Sequence, residues 1–336
     1  MQPRACYAPK SVGRPAWCDD SRHRAPHPAD ATARPTAPSV LALPASTPSR
    51  VLAWFFVLVW GSGYLATKTG LQYAPPFTFL SLRFAAALLV AVPLVLALRP
   101  AWPATWAGWA HITVAGLLMH AVNLGGSHSA QYLGMSAGVT ALVLSVQPLL
   151  TATLAVGFMG ERLLARQWFG IALGLAGVAL VVWHKIDLRA VSFEAIVAVL
   201  VALAAITLGT LYQRIFCPTV DLRAAMLIQF AVTLLTVLPL AWAHEGLRVQ
   251  WSWALAGSVL FLVLFASILA VNALHTLMRR GQATRVTSLL YLTPLIAVAL
   301  EWLLFRVQPT ALTWLGIAVT CAGVALTAWQ AAPRSP

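Results

Sequence analysis

The feature that most constrains this chain is a succession of long apolar segments that starts at Val51 and continues almost to the carboxyl terminus. A helix needs about 20 apolar residues to cross roughly 30 Å of hydrocarbon. We count ten such segments, at 51–69, 77–98, 104–125, 136–159, 166–184, 194–214, 223–243, 253–276, 284–305 and 310–330. Because lipid satisfies no backbone polar group, each is predicted to be a helix. We therefore expect an all-α polytopic membrane protein.

The composition excludes most other classes of protein. Of the 336 residues, 60% are hydrophobic and only 9% are charged, whereas soluble domains have about 25% charged residues. The sequence also contains no phosphate-binding loop, no metal-ligand cluster and no redox motif. We therefore expect no cofactor, no metal and no catalytic residues, and an ATP-driven pump in this chain is disfavoured.

The formal net charge of +13 is predicted to set topology rather than to bind nucleic acid. Seven of the 22 basic residues lie within residues 1–50, and most others flank the apolar segments. With the amino terminus inside, ten basic residues fall on the inner side and five on the outer side. Inner loops of membrane proteins carry this excess. We predict a multi-pass protein of the cell (inner) membrane with both termini in the cytoplasm.

Residues 1–50 have a different composition from the rest of the chain. Nine of the 21 prolines lie before Arg50, and the block has no periodic apolar pattern. Such a segment buries too little apolar surface to fold. We predict a disordered, basic, proline-rich cytoplasmic tail. A second interpretation is that translation starts after this block.

The sequence matches itself when it is shifted by 146 residues. Matching pairs include Phe84 and Phe230, Pro148 and Pro294, Trp168 and Trp314, Gly177 and Gly323, and Trp183 and Trp329. The match defines two repeats of five helices each, at 51–185 and 190–330. Because five is odd, the second repeat enters the membrane from the opposite side. Inverted repeats are typical of secondary transporters, whose substrate site lies near the midplane between the repeats.

The order of short motifs resembles that of a known transporter family. In the first repeat the motifs are Trp60-Gly61-Ser62-Gly63-Tyr64, Lys68, Pro75-Pro76, Leu82-Arg83-Phe84, Pro148, Gly160-Glu161, Trp168-Phe169-Gly170 and Gly177-Val178. The chain resembles EamA-type transporters of the drug/metabolite transporter (DMT) superfamily over about residues 51–330. The second repeat keeps Pro294, Trp314, Gly316 and Gly323, but Arg306-Val307 replaces the Gly-Glu pair. The resemblance implies a ten-helix carrier of small metabolites or drugs, commonly an exporter.

Charged residues inside the predicted spans are the first candidates for substrate binding or coupling, because charge is costly in a membrane. Glu301 is the one carboxylate well inside a predicted span, and Arg83 and Lys68 lie at a similar depth. We expect these three residues to form a charge cluster. One interpretation is a carboxylate that responds to substrate or to a coupling proton. The other is a fixed ion pair that ties the repeats together.

Polar residues near the middle of the spans are further candidates for the binding site. They are Tyr64, His120, Asn123, Gln147 and Tyr291. Pro148 and Pro294 are predicted to kink their helices, because proline removes one backbone hydrogen bond and frees a carbonyl group. We expect a binding site at these kinks, beside Gln147 and Tyr291. The alternative is that the kinks serve packing and that Gln147 and His120 only bond neighbouring helices.

Taken together, these patterns predict a secondary transporter that moves a small organic metabolite or drug by alternating access, most simply as an exporter. Its partners are a small-molecule substrate, a proton as the candidate coupling ion, and the lipid bilayer. Gly170, Gly174 and Gly177 favour close helix packing, and a homodimer through these helices is a second use for them. The alternatives to a carrier are an integral membrane enzyme and a membrane protein that transports nothing.

Overall fold

The computed structural model describes residues 49–159, 163–187, 191–269 and 292–328, and every regular element in these ranges is helical. The α-helices are α1 (Ser49–Gly70), α2 (Pro76–Ala97), α3 (Trp106–Gly116), α4 (Asn123–Tyr132), α5 (Ala137–Leu144), α6 (Gln147–Met159), α7 (Ala165–Asp187), α8 (Phe193–Phe216), α9 (Leu222–Leu240), α10 (Trp253–Phe261), α11 (Thr293–Phe305) and α12 (Ala311–Ala328). Three π-helical segments extend α-helices: π1 (Leu117–Val122), π2 (Ala241–Glu245) and π3 (Leu262–Leu269). The predicted tail lies outside the described residues, apart from its last two positions.

Five observed helices begin and end within three residues of predicted segments: α1, α2, α7, α8, and α9 taken together with π2. The predicted end of the third segment, residue 125, is wrong, because α3, π1 and α4 continue to Tyr132. Ser127 and His128 of α4 are buried inside the protein. Gly126 has no side chain, and a methyl group there would lie 2.6 Å from the Ala198 carbonyl of α8.

Within the described residues, five helical stretches are long and apolar enough to cross a membrane: Pro76–Ala97, Ala137–Gly157, Ala165–Trp183, Phe193–Phe216 and Leu222–Glu245. Shorter apolar helices are Trp253–Ser267, Thr293–Phe305 and Ala311–Leu326. These stretches indicate a multi-pass membrane protein. The number of ten spans stays a prediction, since residues 270–291 lie outside the described ranges.

Proline interrupts the fourth predicted segment rather than bending one continuous helix. α5 ends at Leu144, and α6 begins at Gln147 with Pro148 as its second residue. Pro294 has the same place in α11, where it follows Thr293. Proline fits the first turn of a helix because those backbone nitrogens have no partner within the helix. Each proline therefore starts a helix near the middle of a predicted segment.

The offset of 146 residues found in the sequence recurs in the helix positions. Pro76 and Leu222 begin α2 and α9, Gln147 and Thr293 begin α6 and α11, and Ala165 and Ala311 begin α7 and α12. The members of each pair are 146 residues apart. The third helix of each repeat also continues into a π-helical segment, π1 in the first and π3 in the second. The repeats are therefore alike in helix order and in local irregularities.

Two residues touch their own counterparts in the other repeat. The rings of Phe84 and Phe230 meet edge to face with centroids 5.3 Å apart. Thr320 Oγ1 donates a hydrogen bond of 3.4 Å to the carbonyl of Gly174. The members of each pair again differ by 146 in number. Because a residue can contact its counterpart only close to the symmetry axis, we take these two contacts to mark the pseudo-two-fold axis.

The helices that cross at this axis are antiparallel, as inverted repeats require. Glu245, at the end of π2, accepts hydrogen bonds from the backbone nitrogens of Phe77 and Thr78 at the start of α2. Asp221, just before α9, accepts one from Ala101 N, just after α2. The start of each helix thus lies beside the end of the other. The backbone donors at the first turn of α2 also find the partner that a helix start needs.

Candidate functional site

Lys68 and Glu301 form an ion pair between the repeats. Lys68 Nζ lies 2.5 Å from Glu301 Oε1, and the Glu301 side chain is 3% exposed. The same carboxylate accepts hydrogen bonds from the backbone nitrogens of Ala137 (3.0 Å) and Gly138 (2.9 Å). These nitrogens open α5, where a helix favours negative charge. One carboxylate of α11 thus holds α1 and α5 of the other repeat; we call this arrangement the Lys68–Glu301 tie.

Arg83 does not join the other two charged residues, so the expected three-membered charge cluster is not formed. Its Nη2 donates a long hydrogen bond of 3.5 Å to Ser267 Oγ in π3. Its Nε is buried and has no hydrogen-bond partner among the described residues. Lys68, Arg83 and Glu301 lie at a similar depth in their helices. The Arg83 side chain, however, points from α2 towards Ser267 of π3 and not towards Glu301 of α11.

Arg83 belongs instead to a group of polar side chains near the pseudo-two-fold axis. Gln229 of α9, the counterpart of Arg83 at an offset of 146, has its Oε1 3.3 Å from His120 Nε2. Its Nε2 donates to Gln213 Oε1 of α8 at 3.1 Å. We call Arg83, His120, Gln213, Gln229 and Ser267 the central polar cluster. It draws on both repeats, and two of its members lie in the π-helical segments.

Aromatic rings surround the central polar cluster. The His120 ring packs edge to face on Phe84 and Phe230, with centroid distances of 5.8 and 5.5 Å. The guanidinium carbon of Arg83 lies 5.8 Å from the Phe84 centroid. Because Phe84 and Phe230 mark the axis, these contacts place His120 beside it. π-Helical turns often occur at functional sites, since the extra residue changes where side chains point.

The structure places most of the remaining candidate residues apart from this cluster. Gln147 donates to Thr151 of α6 at 3.2 Å and to Thr210 of α8 at 3.3 Å, so it links the repeats beside Pro148. Tyr64 packs against α5 and α11 in an apolar cluster that includes Phe305. Lys68 Nζ lies 4.7 Å from the centroid of that Phe305 ring. Tyr64 therefore lies near the Lys68–Glu301 tie.

Two candidates contribute less to a defined site. Asn123 donates to the Met119 carbonyl of its own helix at 3.0 Å, and its buried Oδ1 has no partner among the described residues. Tyr291 lies outside the described residues. At the second kink the structure instead describes Thr293, whose buried hydroxyl also lacks a described partner. It is the counterpart of Gln147 in the other repeat.

A cavity of about 350 Å³ lies at the predicted outer face, away from the central polar cluster. It is lined by Pro75, Pro76, Ser129, Tyr132, Leu133, His244, Glu245 and Arg248. Its carboxylate, Glu245, is already bound to the first turn of α2. No three His, Cys, Asp or Glu residues in the described ranges form a group suited to a metal ion.

Sequence reasoning missed several residues of the site: Gln213, Gln229, Ser267 and the two nitrogens that bind Glu301. Gln229 was within reach, because the 146-residue offset aligns it with Arg83 and it is a polar residue inside a predicted span. Ser267 and the nitrogens of α5 gave no comparable signal. The direction of Ser267 depends on a π-helical segment. The position of the α5 nitrogens depends on where a helix starts within an apolar run.

Inverted helical repeats with polar groups at the axis are typical of membrane transporters. The model of the EamA-like transporter family matches this chain twice, over residues 49–183 and 193–329. The chain therefore belongs to the EamA-like transporter family, as its motifs indicated. This membership and the names of its relatives indicate a transporter rather than an enzyme.

Similar proteins occur in Escherichia coli and Bacillus subtilis. The chain is 27% identical over 290 residues to a "Probable amino-acid metabolite efflux pump" of Escherichia coli, covering 82% of this chain and 92% of that protein. It is 29% identical to the uncharacterized inner membrane transporter YedA of Escherichia coli, covering 80% and 87%. It is 26% identical to the uncharacterized transporter YvbV of Bacillus subtilis, covering 75% and 82%. These names support a multi-pass protein of the inner membrane.

A solved structure shares the fold. A protein of known crystal structure superposes with a TM-score of 0.60 at 19% sequence identity, and the match covers 83% of this chain and 96% of that one. At this level of identity the likeness concerns the arrangement of helices alone.

Proposed function

We propose that this protein is a secondary carrier that exports a small organic molecule across the inner membrane by alternating access. The observation that carries the proposal is the central polar cluster at the pseudo-two-fold axis. Arg83, His120 and Gln229 come from both repeats and meet beside the Phe84–Phe230 contact. A polar site between inverted repeats is where carriers bind their substrates. The efflux pump among its relatives supports the outward direction.

In this proposal the Lys68–Glu301 tie is a gate at the predicted outer face. It joins α11 of the second repeat to α1 and α5 of the first at the ends of all three helices. The positions that match Lys68 and Glu301 at the 146-residue offset are Arg214 and Ala155, which lack the carboxylate. The particular pairing of Lys68 with Glu301 is therefore not repeated at the matching positions, and opening the outer face requires breaking it.

Glu301 is also the candidate residue for coupling to protons. Its carboxylate accepts one bond from Lys68 and two from backbone nitrogens. A proton on this carboxylate would remove its charge and weaken all three interactions. Proton uptake and gate opening would then occur together. The same contacts would also be present in a fixed ion pair that never opens. The responsive carboxylate and the fixed ion pair therefore differ in whether the pH dependence of transport requires Glu301.

The test compares cells that lack the gene with cells that overexpress it, across a panel of metabolites and toxic analogues. We expect overexpression to raise resistance to some compounds and to speed their efflux. For those compounds, Glu301→Gln should abolish efflux or flatten its pH dependence. Glu194→Gln is the matched control, since Glu194 is an exposed carboxylate in the first turn of α8. It should behave as the unmodified protein does.

Two results would contradict this proposal in different ways. If no compound in the panel depends on the gene, the carrier function loses its support. If efflux and its pH dependence are the same with Glu301→Gln as with the unmodified protein, the carrier function stands and the gating and coupling roles of Glu301 do not. Equal protein levels in the membrane must be verified for each variant.

A further inference from the structure

The charge of Arg83 has no counter-charge among the described residues. Three carboxylates bind elsewhere: Glu301 to Lys68, Glu245 to the start of α2, and Asp221 to Arg223. Glu194 is exposed at the first turn of α8. The segment 270–291 contains no Asp or Glu in its sequence, and Glu161 and Asp187 lie beyond the ends of the predicted spans.

A charge in this position is costly unless something compensates for it. Arg83 lies seven residues into α2, which is about 10 Å along the helix from its first residue. Ionisable residues at such depth usually face a partner or a wet cavity and mark substrate pathways. The only described hydrogen bond of its guanidinium is the long one to Ser267, which is uncharged. Among the described residues, the site thus holds a cation with no counter-charge, and an anionic ligand would supply one.

The geometry of the free donors indicates what that partner is. A guanidinium presents its N–H groups in a planar fork that matches the two oxygens of a carboxylate. The Nε of Arg83 is buried and has no hydrogen-bond partner among the described residues. Arg83 as a whole is only partly buried. The counterpart of Arg83 in the other repeat is Gln229, which is uncharged. The cluster therefore offers one cationic fork, enough for one carboxylate.

The surroundings of Arg83 are mainly apolar. Phe84 and Phe230 lie beside it and are buried, with 2% and 7% exposure, in contact with each other and with His120. Binding sites of small molecules commonly combine such apolar surroundings with a few placed polar groups. In this setting an ionic partner for the guanidinium is only weakly screened by water.

We propose that the substrate is a small organic carboxylate whose anionic group binds Arg83. This inference rests on the proposed function, because it assigns the substrate class of the same central site.

The test measures binding by titration calorimetry to the full chain in lipid nanodiscs. The probes are benzoate, phenylacetate and 3-phenylpropionate, each paired with its own primary amide at equal ionic strength. We expect at least one acid to bind the unmodified protein while its amide does not. Arg83→Gln should raise the dissociation constant of that acid about tenfold to a hundredfold, as the loss of a hydrogen bond to a charged group does. Arg83→Lys should retain part of the binding, since it keeps the charge and loses the fork.

Arg99→Gln is the matched control, because Arg99 follows the end of the same helix and is exposed. It should leave the dissociation constant unchanged. The proposal is overturned if none of the three acids binds, if an acid and its amide bind equally, or if Arg83→Gln leaves acid binding intact. The comparison of acid with amide needs no variant, so it holds even where Arg83→Gln fails to fold.

The outcome separates this inference from the proposed function. A protein that extrudes compounds from cells but binds no carboxylate remains a carrier and loses this substrate class. A protein that binds an acid through Arg83 but moves no solute keeps the site and loses the carrier function.

Discussion

At the scale of single residues, Asp221 shows how a carboxylate holds two helices together outside the membrane. Its Oδ2 lies 2.7 Å from Arg223 Nη2 and accepts a bond from Ala101 N, and its Oδ1 binds the backbone nitrogen of Arg223. The hydrogen bond from the Arg223 side chain, aided by these backbone nitrogens, lowers the pKa of Asp221 to about 2. Asp221 thus caps α9 and anchors the chain that follows α2.

The lowered pKa predicts how stability depends on pH. A carboxyl group with a depressed folded-state pKa stabilises the fold fully above its unfolded value of about 3.9, and this contribution disappears as pH falls through the folded value. We therefore expect Asp221→Asn to unfold at a lower temperature than the unmodified protein at pH 7. The gap should narrow between pH 4 and pH 2. Thermal unfolding in detergent, followed by circular dichroism, measures it; a gap that stays constant would contradict the assignment.

At the scale of single elements, the start of α5 decides what the Lys68–Glu301 tie can tolerate. The positive end of this helix presents the nitrogens of Ala137 and Gly138 to Glu301. Position 301 therefore needs an acceptor with negative charge, and position 68 supplies only the counter-ion. An ion pair without these backbone donors would have no preference for which of the two positions carries the negative charge.

Reversing both charges tests this asymmetry. In Lys68→Glu/Glu301→Lys the pair can form again, but an ammonium group would face the donors of α5. We expect the double variant to stay destabilised by about 3 kcal/mol, the lower end for breaking a buried pair, because Lys68 is 24% exposed. The unfolding temperature of purified protein reports the effect. If the double variant unfolds at the same temperature as the unmodified protein, the backbone nitrogens of α5 do not determine which position must carry the negative charge.

The start of α5 also shows where sequence reasoning about elements ends. The scarcity of acidic residues was enough to single out Glu301, and helix depth suggested Lys68 and Arg83 as neighbours. Which neighbour pairs with it depends on the rotation of each helix. The π-helical segment π3 sets the direction of Ser267, the partner of Arg83, since an i→i+5 turn shifts every later side chain around the axis, and the start of α5 sets which nitrogens face Glu301. An apolar run gives no sign of either irregularity.

At the scale of the whole molecule, glycines let the backbones of the two repeats approach closely at the crossing of α7 and α12. A methyl group at Gly323 would overlap the backbone nitrogen of Gly174 and lie 2.5 Å from the carbonyl oxygen of Gly170. One at Gly177 would lie 2.8 Å from the carbonyl oxygen of Gly316. These glycines are thus covered within one chain. The homodimer stays a prediction and would need another surface.

Substitution at this crossing should separate the two repeats. We expect Gly323→Ala to destabilise the protein by about 1–3 kcal/mol, the usual cost of overpacking, because backbone atoms rather than flexible side chains oppose the new methyl group. Gly157→Ala in α6 is the matched control, since no atom lies within 4 Å of its new methyl group. It should leave stability unchanged or raise it by up to about 1 kcal/mol, because alanine favours a helix more than glycine does. Equal unfolding temperatures for the two variants would contradict the close crossing.

The whole-molecule arrangement was the part most accessible from sequence. Matching tryptophans, glycines and prolines at one offset predicted the duplication, and the structure repeats helix starts at that same offset. The contacts of Phe84 with Phe230 and of Gly174 with Thr320 were implied by no single residue. They follow only once the two repeats are placed about a common axis.

The lone guanidinium near the centre has an electrical consequence. Arg83 stays with the chain, so a bound monoanion that leaves the cell carries one net charge across the membrane. Moving one charge through 100 mV is worth about 2.3 kcal/mol, a factor of roughly fifty in concentration. In a cell whose interior is negative, this voltage drives anions outward. For an exporter that recognises its cargo through Arg83, the resting voltage would therefore add to any drive from a coupled proton, and the rate of export would follow the membrane potential.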